Sequence, residues 1–243
     1  MTTKIETAAL ASVCQVQKLF IHEYELNGVR RQLPVVTEYA LTYQDDHKSK
    51  KNTEFYRARA YRLDGDQSTD FHRYDNTICV TICHKSQSVM FGPTGVIKMN
   101  PRGAGIGPAL MANVIEWLQR QPGTASYAVM TGMLDSNNAK TDDERLQRNK
   151  FYMAFGFTLS SMTDAEGLDV VGGHFTAPSV GLLSVPERYQ SRMKPWGAFD
   201  TEVGKERSEA AQVREAAAEN VKTLQQAREW YEAGIFRRPK WPL

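Results

Sequence analysis

Thr94-Gly95-Val96-Ile97-Lys98-Met99-Asn100-Pro101-Arg102-Gly103-Ala104-Gly105-Ile106-Gly107 is a short β-prone run that opens into a glycine loop. The residues after it change period. Ile106, Leu110, Val114, Trp117 and Leu118 fall on one face of a helix that Gln121-Pro122-Gly123 stops. Strand, glycine loop and helix in that order build an anion cradle. Glycines remove side chains so that backbone N–H groups can close on a ligand, and the helix N-terminus adds unpaired N–H groups and a favourable dipole. A pyrophosphate suits such a cradle better than a neutral ligand.

Two familiar cradles do not fit. A Walker loop ends in Gly-Lys-Ser/Thr, whereas Gly107 is followed by Pro108-Ala109. A dinucleotide fingerprint needs Gly-x-Gly-x-x-Gly, whereas the spacing here is Gly103-x-Gly105-x-Gly107.

Outward from the loop, β-prone runs surround it. Leu33 to Tyr43, Phe55 to Leu63, Thr77 to His84 and Ser126 to Leu134 read as strands, the second alternating apolar or small residues with arginines so that one face is wet. Asp142 or Asp143 can cap a helix from about Glu144 to Phe155 that Gly156 ends. Gly172-Gly173 with His174 to Leu183 suggests a closing hairpin or a long loop. At the start, Thr3-x-x-Glu6 reads as a capping box, and Val13, Val16, Leu19 and Phe20 then recur at helical spacing. This predicts a helix that Asn27-Gly28 ends. From Thr201 the composition turns to helix formers with a narrow apolar stripe of Val213, Ala217, Val221, Leu224, Tyr231 and Ile235. The expected layout is one α/β domain over residues 1–200 and a helical extension with a basic tail over 201–243.

The 243 residues carry 30 basic and 28 acidic side chains, for a net charge of +2. That balance does not announce a nucleic-acid binder, although a local basic patch can act without net charge. Cys14, Cys79 and Cys83 make no disulfide framework and read as reduced thiols. The first residues lack the basic start and apolar run of a signal peptide, and no run of ~18 apolar residues spans a membrane. These features point to a cytoplasmic protein with no membrane partner.

Arg102, Gly105 and Gly107 sit where the GNAT superfamily of N-acetyltransferases carries its [Gln/Arg]-x-x-Gly-x-[Gly/Ala] loop, and about 45 residues on Tyr152-Met153-Ala154-Phe155-Gly156-Phe157 resembles that family's helix-ending Tyr-x-x-x-Gly-Phe. The likeness covers Thr94 to Phe157. It implies a GNAT-like central mixed sheet, mostly antiparallel, flanked by helices, whose two central strands splay to admit a pantetheine arm. It implies acetyl-CoA or another acyl-CoA as cofactor, held by Ile97, Lys98, Met99, Arg102, Gly103, Ala104, Gly105, Ile106 and Gly107. Tyr152 would donate a proton to the departing thiolate. The chain also departs from the family. Arg145 stands where an asparagine is usual, the connection Asp135 to Asp142 is long, and no carboxylate precedes the glycine loop.

An attacking amine must be neutral, so something must take its proton. Asp135, Asp142 and His174 are the candidate bases, with Asp142 preferred. Each has a plainer reading: a loop residue, a helix cap and a structural histidine. Tyr152 can equally be core packing, and the glycine loop a mere turn. The unusual acceptor side also resembles Mom-like phage enzymes that hypermodify adenine in DNA on a GNAT fold. Arg102, Asp142 and Tyr152 would match their active set, iron would take part, and the host cytoplasm would be the setting. DNA would then be gripped by Lys48, Lys50, Lys51, Arg57, Arg59, Arg62, Arg237, Arg238 and Lys240, with Phe236 or Trp241 stacking on a base. Three readings therefore stand: an acyltransferase acting on an amine, a DNA-modifying relative, and an inactive GNAT-fold assembly protein that forms a homodimer through its C-terminal helix.

Overall fold

The structure is a computed structural model, and it describes residues 11–44, 50–61, 75–92, 99, 102–136, 139–161, 166–190 and 193–232. Among the described residues nine strands form one open sheet: β1 (Gln15–Leu26), β2 (Val29–Tyr43), β3 (Lys51–Ala60), β4 (Thr77–Cys83), β5 (Ser88–Phe91), β6 (Ala128–Leu134), β7 (Thr158–Ser161), β8 (Gly173–Ala177) and β9 (Met193–Pro195). Three long helices accompany them: α1 (Ile106–Gln119), α2 (Asp142–Ala154) and α3 (Trp196–Glu232). Across the sheet the order is β7, β8, β6, β5, β4, β3, β2, β1, β9. Every neighbouring pair is antiparallel except β5 and β6. A mixed α/β protein with a mostly antiparallel sheet and a long C-terminal helix is what the sequence predicts.

The N-terminal expectation is overturned in part. Ala11 to Val13 are helical, but Gln15 to Leu26 is β1, paired along its length with β2. Thr3 and Glu6, the expected capping box, lie outside the described residues. The physical reason is the turn. Asn27 and Gly28 both take positive φ, 54° and 73°, directly between the paired residues Leu26 and Val29. Two central residues with positive φ form the hairpin turn whose twist matches the strands it joins. Asn27-Gly28 therefore does not end a helix but folds a hairpin back on itself.

On one face of the sheet, β3 and β4 present Tyr56, Ala58, Ala60, Ile78, Val80 and Ile82 to α1. α1 is buried almost all round, with Leu110, Met111, Val114, Ile115 and Leu118 inaccessible. Its Trp117 stacks on Tyr56, ring centroids 4.3 Å apart and 4° from parallel. The Tyr56 hydroxyl donates to Asn113 Oδ1 at 2.8 Å, so the helix is fixed in rotation as well as position.

The opposite face of β3 is not the wet face that its arginines suggest. Arg57 lies directly across from Glu38 and donates to both of its carboxylate oxygens, at 2.7 and 2.9 Å. Its Nη2 also donates to the Cys14 sulfur at 3.0 Å. Phe55, Ala40 and Cys79 form a small buried cluster on that side, with Ala11 and Cys14 against it.

The chain divides at Pro195 and Trp196 into two units. The first holds the sheet, and the second holds α3. The division falls a few residues before the compositional change at Thr201, because helical residues already begin at Trp196.

Gly132 of β6 is a close-approach glycine. A Cβ there would stand 2.1 Å from Phe175 Cζ, across the β6–β8 pair. Gly132→Ala is expected to destabilise the sheet unit by roughly 1–3 kcal/mol through forced displacement of Phe175. A urea melt followed by near-ultraviolet circular dichroism reads this, and an unchanged midpoint would show that Phe175 moves freely.

Candidate functional site

The glycine loop enters α1 through two left-handed residues, Gly103 at φ 82° and Gly105 at φ 68°. Gly105 is the N-cap of α1. No side chain caps this helix, and no acidic residue occupies its first turn. Among the described residues its leading N–H groups therefore meet no capping side chain, and no carboxylate of the first turn competes with an incoming anion. A Cβ at Gly103 would meet nothing within 4 Å, so space lies open there. At Gly107 a Cβ would stand 3.3 Å from Met99 Cγ and 3.8 Å from Phe151, so this glycine lets the first turn pack on α2.

His22 holds the loop from inside. It is buried on β1, and its Nε2–H donates to the Ala104 carbonyl at 2.9 Å. Since a carbonyl only accepts, the proton sits on Nε2. From outside, Arg102 pairs with Glu144 of α2. Glu144 also accepts the Lys140 N–H at 2.9 Å. That backbone bond first, and Arg102 second, hold its carboxyl below the ordinary range. Ile106 and Ala104 are buried, while Met99 packs against the core. Ile97 and Lys98 lie outside the described residues.

The expected catalytic pair is not brought together. Thr141, not Asp142, is the N-cap of α2: its Oγ1 accepts the Glu144 N–H at 3.2 Å. Asp142 is the first helical residue, its side chain 90% exposed and 3.3 Å from Arg145. Tyr152 stands ten residues further on, which at the rise of a helix is about 15 Å away. It is buried, stacked on Phe175 at 4.6 Å and edged by Phe151 and Phe157. Burial pushes its phenol well above the ordinary tyrosine range, with Arg148 pulling weakly the other way. His174 precedes Phe175 on β8. Successive strand residues face opposite ways, so His174 points to the face away from Tyr152. There it stands between Met133 and Ser160, with no hydrogen-bond partner for Nδ1 among the described residues.

The tyrosine end of α2 is braced by two neighbours. Asn149, fully buried, donates from Nδ2 to the carbonyls of Gly167, Leu168 and Val170. Arg148 donates to Asp135, Val170 and Val171 carbonyls. Together they sew the segment after β7 onto the helix.

One polar network escaped the sequence reading. Glu54, 1% exposed, accepts from Tyr39 at 2.5 Å, Lys51 at 2.9 Å and His84 Nε2 at 2.8 Å. His84 Nδ1 lies 3.1 Å from the Tyr127 hydroxyl. This network sits at the C-terminal end of α1, near Trp117, away from the glycine loop. A signal was available. Glu54 is in phase with Tyr56, Ala58 and Ala60, so a charge stands on the buried face of an alternating strand. His22 gave no such signal, because β1 has no clean alternation: Ile21 and His22 are both buried.

Among the described residues, no group of three or more His, Cys, Asp or Glu is placed to hold a metal. No helix is long and apolar enough to cross a membrane. Comparison with protein-family models, with curated proteins and with solved structures finds no match.

Burial raises the Glu54 carboxyl, but the bonds from Tyr39, Lys51 and His84 outweigh it and leave the group below the ordinary carboxylate range. A carboxyl depressed by folding contributes stability above its unfolded value and loses it as pH falls through the folded value. Stability is therefore expected to drop on acidification from about pH 5 to about pH 3. Glu54→Gln should flatten that drop in denaturant midpoints taken across the range. An identical pH slope would remove Glu54 as a contributor.

Proposed function

We propose that the chain is an acyl-coenzyme A-dependent N-acyltransferase of the GNAT type. The observation that carries the reading is the short pairing of β5 with β6, the one parallel pair among the described residues, beside the open glycine loop. Among the described residues β5 and β6 share only the pairs Ser88–Ala128 and Val89–Val129, and the pairing does not extend to Met90 and Phe91 of β5. The loop and the N-terminus of α1 follow β5 in the chain. A slot between parallel strands, with an anion cradle at their carboxyl ends, suits a long ligand with a pyrophosphate.

The residues present fit that ligand. The cradle lacks side chains at Gly103, Gly105 and Gly107, is open beyond Gly103 and has no acid in the first helical turn. Backbone N–H groups from Gly103 to Gly107 would hold the pyrophosphate, with Arg102 at the rim able to exchange Glu144 for a phosphate oxygen. The bound thioester would supply an activated acyl group. Burial raises the Tyr152 pKa, so the phenol stays protonated and would serve the departing sulfur as a hydrogen-bond donor rather than as a base.

The acceptor is proposed as an amine that arrives neutral. Asp142 and His174 are both placed away from Tyr152, by distance and by sheet face respectively. A DNA acceptor draws less support. Arg57 is committed to Glu38, Lys51 to Glu54, and Arg59 to Thr77 and Tyr61, so three of the expected DNA contacts are already held.

Calorimetry with acetyl-coenzyme A tests the cofactor. Binding is expected in the wild type and is expected to weaken at least tenfold, about 1.4 kcal/mol, in Gly105→Asp, which sets a carboxylate on the cradle and a side chain at φ 68°. No heat at millimolar ligand would sink the reading. In a steady-state assay with a primary amine, Tyr152→Phe is expected to lower kcat by roughly 100-fold with KM little changed. Asp142→Asn should leave both unaltered, and kcat/KM should climb with pH through the pKa of the amine. Unchanged turnover in Tyr152→Phe would make that residue core packing only.

A further inference from the structure

α3 is a single helix of 37 residues, about 56 Å long at the ordinary rise. Nearly all of it is exposed, including the apolar side chains Val213 at 69%, Leu224 at 69% and Tyr231 at 75%. Helices this polar, with so thin an apolar stripe, gain little from propensity alone and are ordinarily stabilised by covering the stripe.

The spacing of the stripe identifies the cover. From Phe199 onward the residues recur at alternating intervals of four and three. Taking Ala210 as position a of a heptad, the a positions are Val203, Ala210, Ala217, Leu224 and Tyr231. The d positions are Phe199, Glu206, Val213, Asn220 and Ala227. Eight of these ten side chains are apolar, which is the seam of a left-handed coiled coil rather than the broader stripe of a helix packed on a sheet. Val221 falls at e, beside the seam.

The flanking charges choose the partner and its direction. Position g carries Glu202 and Glu209, and position e carries Arg207, Arg214 and Arg228. In a parallel pair each g faces the next e of the other chain. Glu202 then meets Arg207 of the partner subunit, and Glu209 meets Arg214 of the partner subunit. Within one chain Glu209 reaches only Lys205, loosely, at 3.7 Å. An antiparallel pair opposes e to e and g to g, where arginines and glutamates respectively predominate. Asn220 at d meets its own copy only in a parallel, in-register pair, the use of a seam amide that fixes register at a cost in affinity.

We propose that α3 docks on a second copy of this chain as a parallel, in-register two-stranded coiled coil along Val203 to Tyr231. The small residues Ala210, Ala217 and Ala227, with Glu206 at d, make the seam shallow, so the dimer dissociates on dilution.

Sedimentation equilibrium of the 243-residue chain is the first measurement. The expected mass rises with concentration from 27.4 kDa toward twice that value. Leu224→Asp should return it to the single-chain mass. Because that variant could also unwind the helix, Asn220→Leu is the counterpart: it removes the seam amide and should tighten the dimer at least tenfold, while Ala218→Leu, outside the seam, should not. Orientation is read by oxidising Asn220→Cys and Val213→Cys separately. Each should give a disulfide-linked dimer on a non-reducing gel at a level the parent chain does not reach. A single-chain mass at every concentration overturns the proposal, as does tightening by Ala218→Leu but not Asn220→Leu. A dimer in which neither cysteine crosslinks overturns the parallel arrangement.

Discussion

The one parallel contact among the described strands, β5 beside β6, is the constraint on which the rest of the first unit depends. Antiparallel neighbours can be joined by short turns, as β1 is to β2 through Asn27-Gly28 and β4 to β5 through residues 84–87. Parallel neighbours cannot. The chain must leave the end of β5, travel back along the sheet and enter β6 from the same side on which it entered β5. α1 is that return journey. Its N-terminus thereby follows the carboxyl end of β5, and its apolar surface covers β3 and β4. The glycine loop is where the return begins. Gly103 and Gly105 allow the reversal, and His22 and Arg102 hold it from within and without.

The same geometry separates two polar regions. At the start of α1, among the described residues, no side chain caps the backbone N–H groups. At its end Trp117 packs beside Tyr39, which ties into the Glu54–His84–Tyr127 network. The first region is electrostatically incomplete among the described residues, since no side chain caps the helix and no acid stands in its first turn. The second is saturated, with a buried carboxylate surrounded by three donors. Incomplete polarity suits ligand binding and saturated polarity suits structure, which is the physical ground for placing the proposed site at the first.

What could be read in the sequence follows from how local each signal is. The glycine loop, α1, Gly123, α2 and Gly156 were legible because glycine conformation and helical period act over a few residues. The hairpin of β1 and β2 was not. Val13, Val16, Leu19 and Phe20 satisfy a helical window, and β1 lacks alternation because both of its faces are covered at Ile21 and His22, which are buried in succession. Arg57 looked like a solvent-facing charge because its partner, Glu38, comes from another strand and Cys14 from the segment before β1. The cap is ambiguous in the sequence because Thr141, Asp142 and Asp143 are successive residues of capping types. For the site, the glycine loop leading into α1 was legible, while the separation of Tyr152 from Asp142 and His174 required knowing that Asp142 opens the helix and that Phe175 takes the face toward Tyr152.

β9 carries a consequence for how the molecule assembles. Its three residues pair with β1, so Phe20 meets Pro195 across a stretch of about 175 intervening positions. The meander from β1 to β5 can zip hairpin by hairpin as it is synthesised, whereas β1 keeps a bare rim until the far end of the first unit arrives. An unpaired rim is a template for any passing strand. The segment that finally occupies it is short and ends in proline, which has no N–H to offer the next strand. The late arrival thus both covers the rim and makes a poor template in its turn, so growth of the sheet ends with Met193–Pro195.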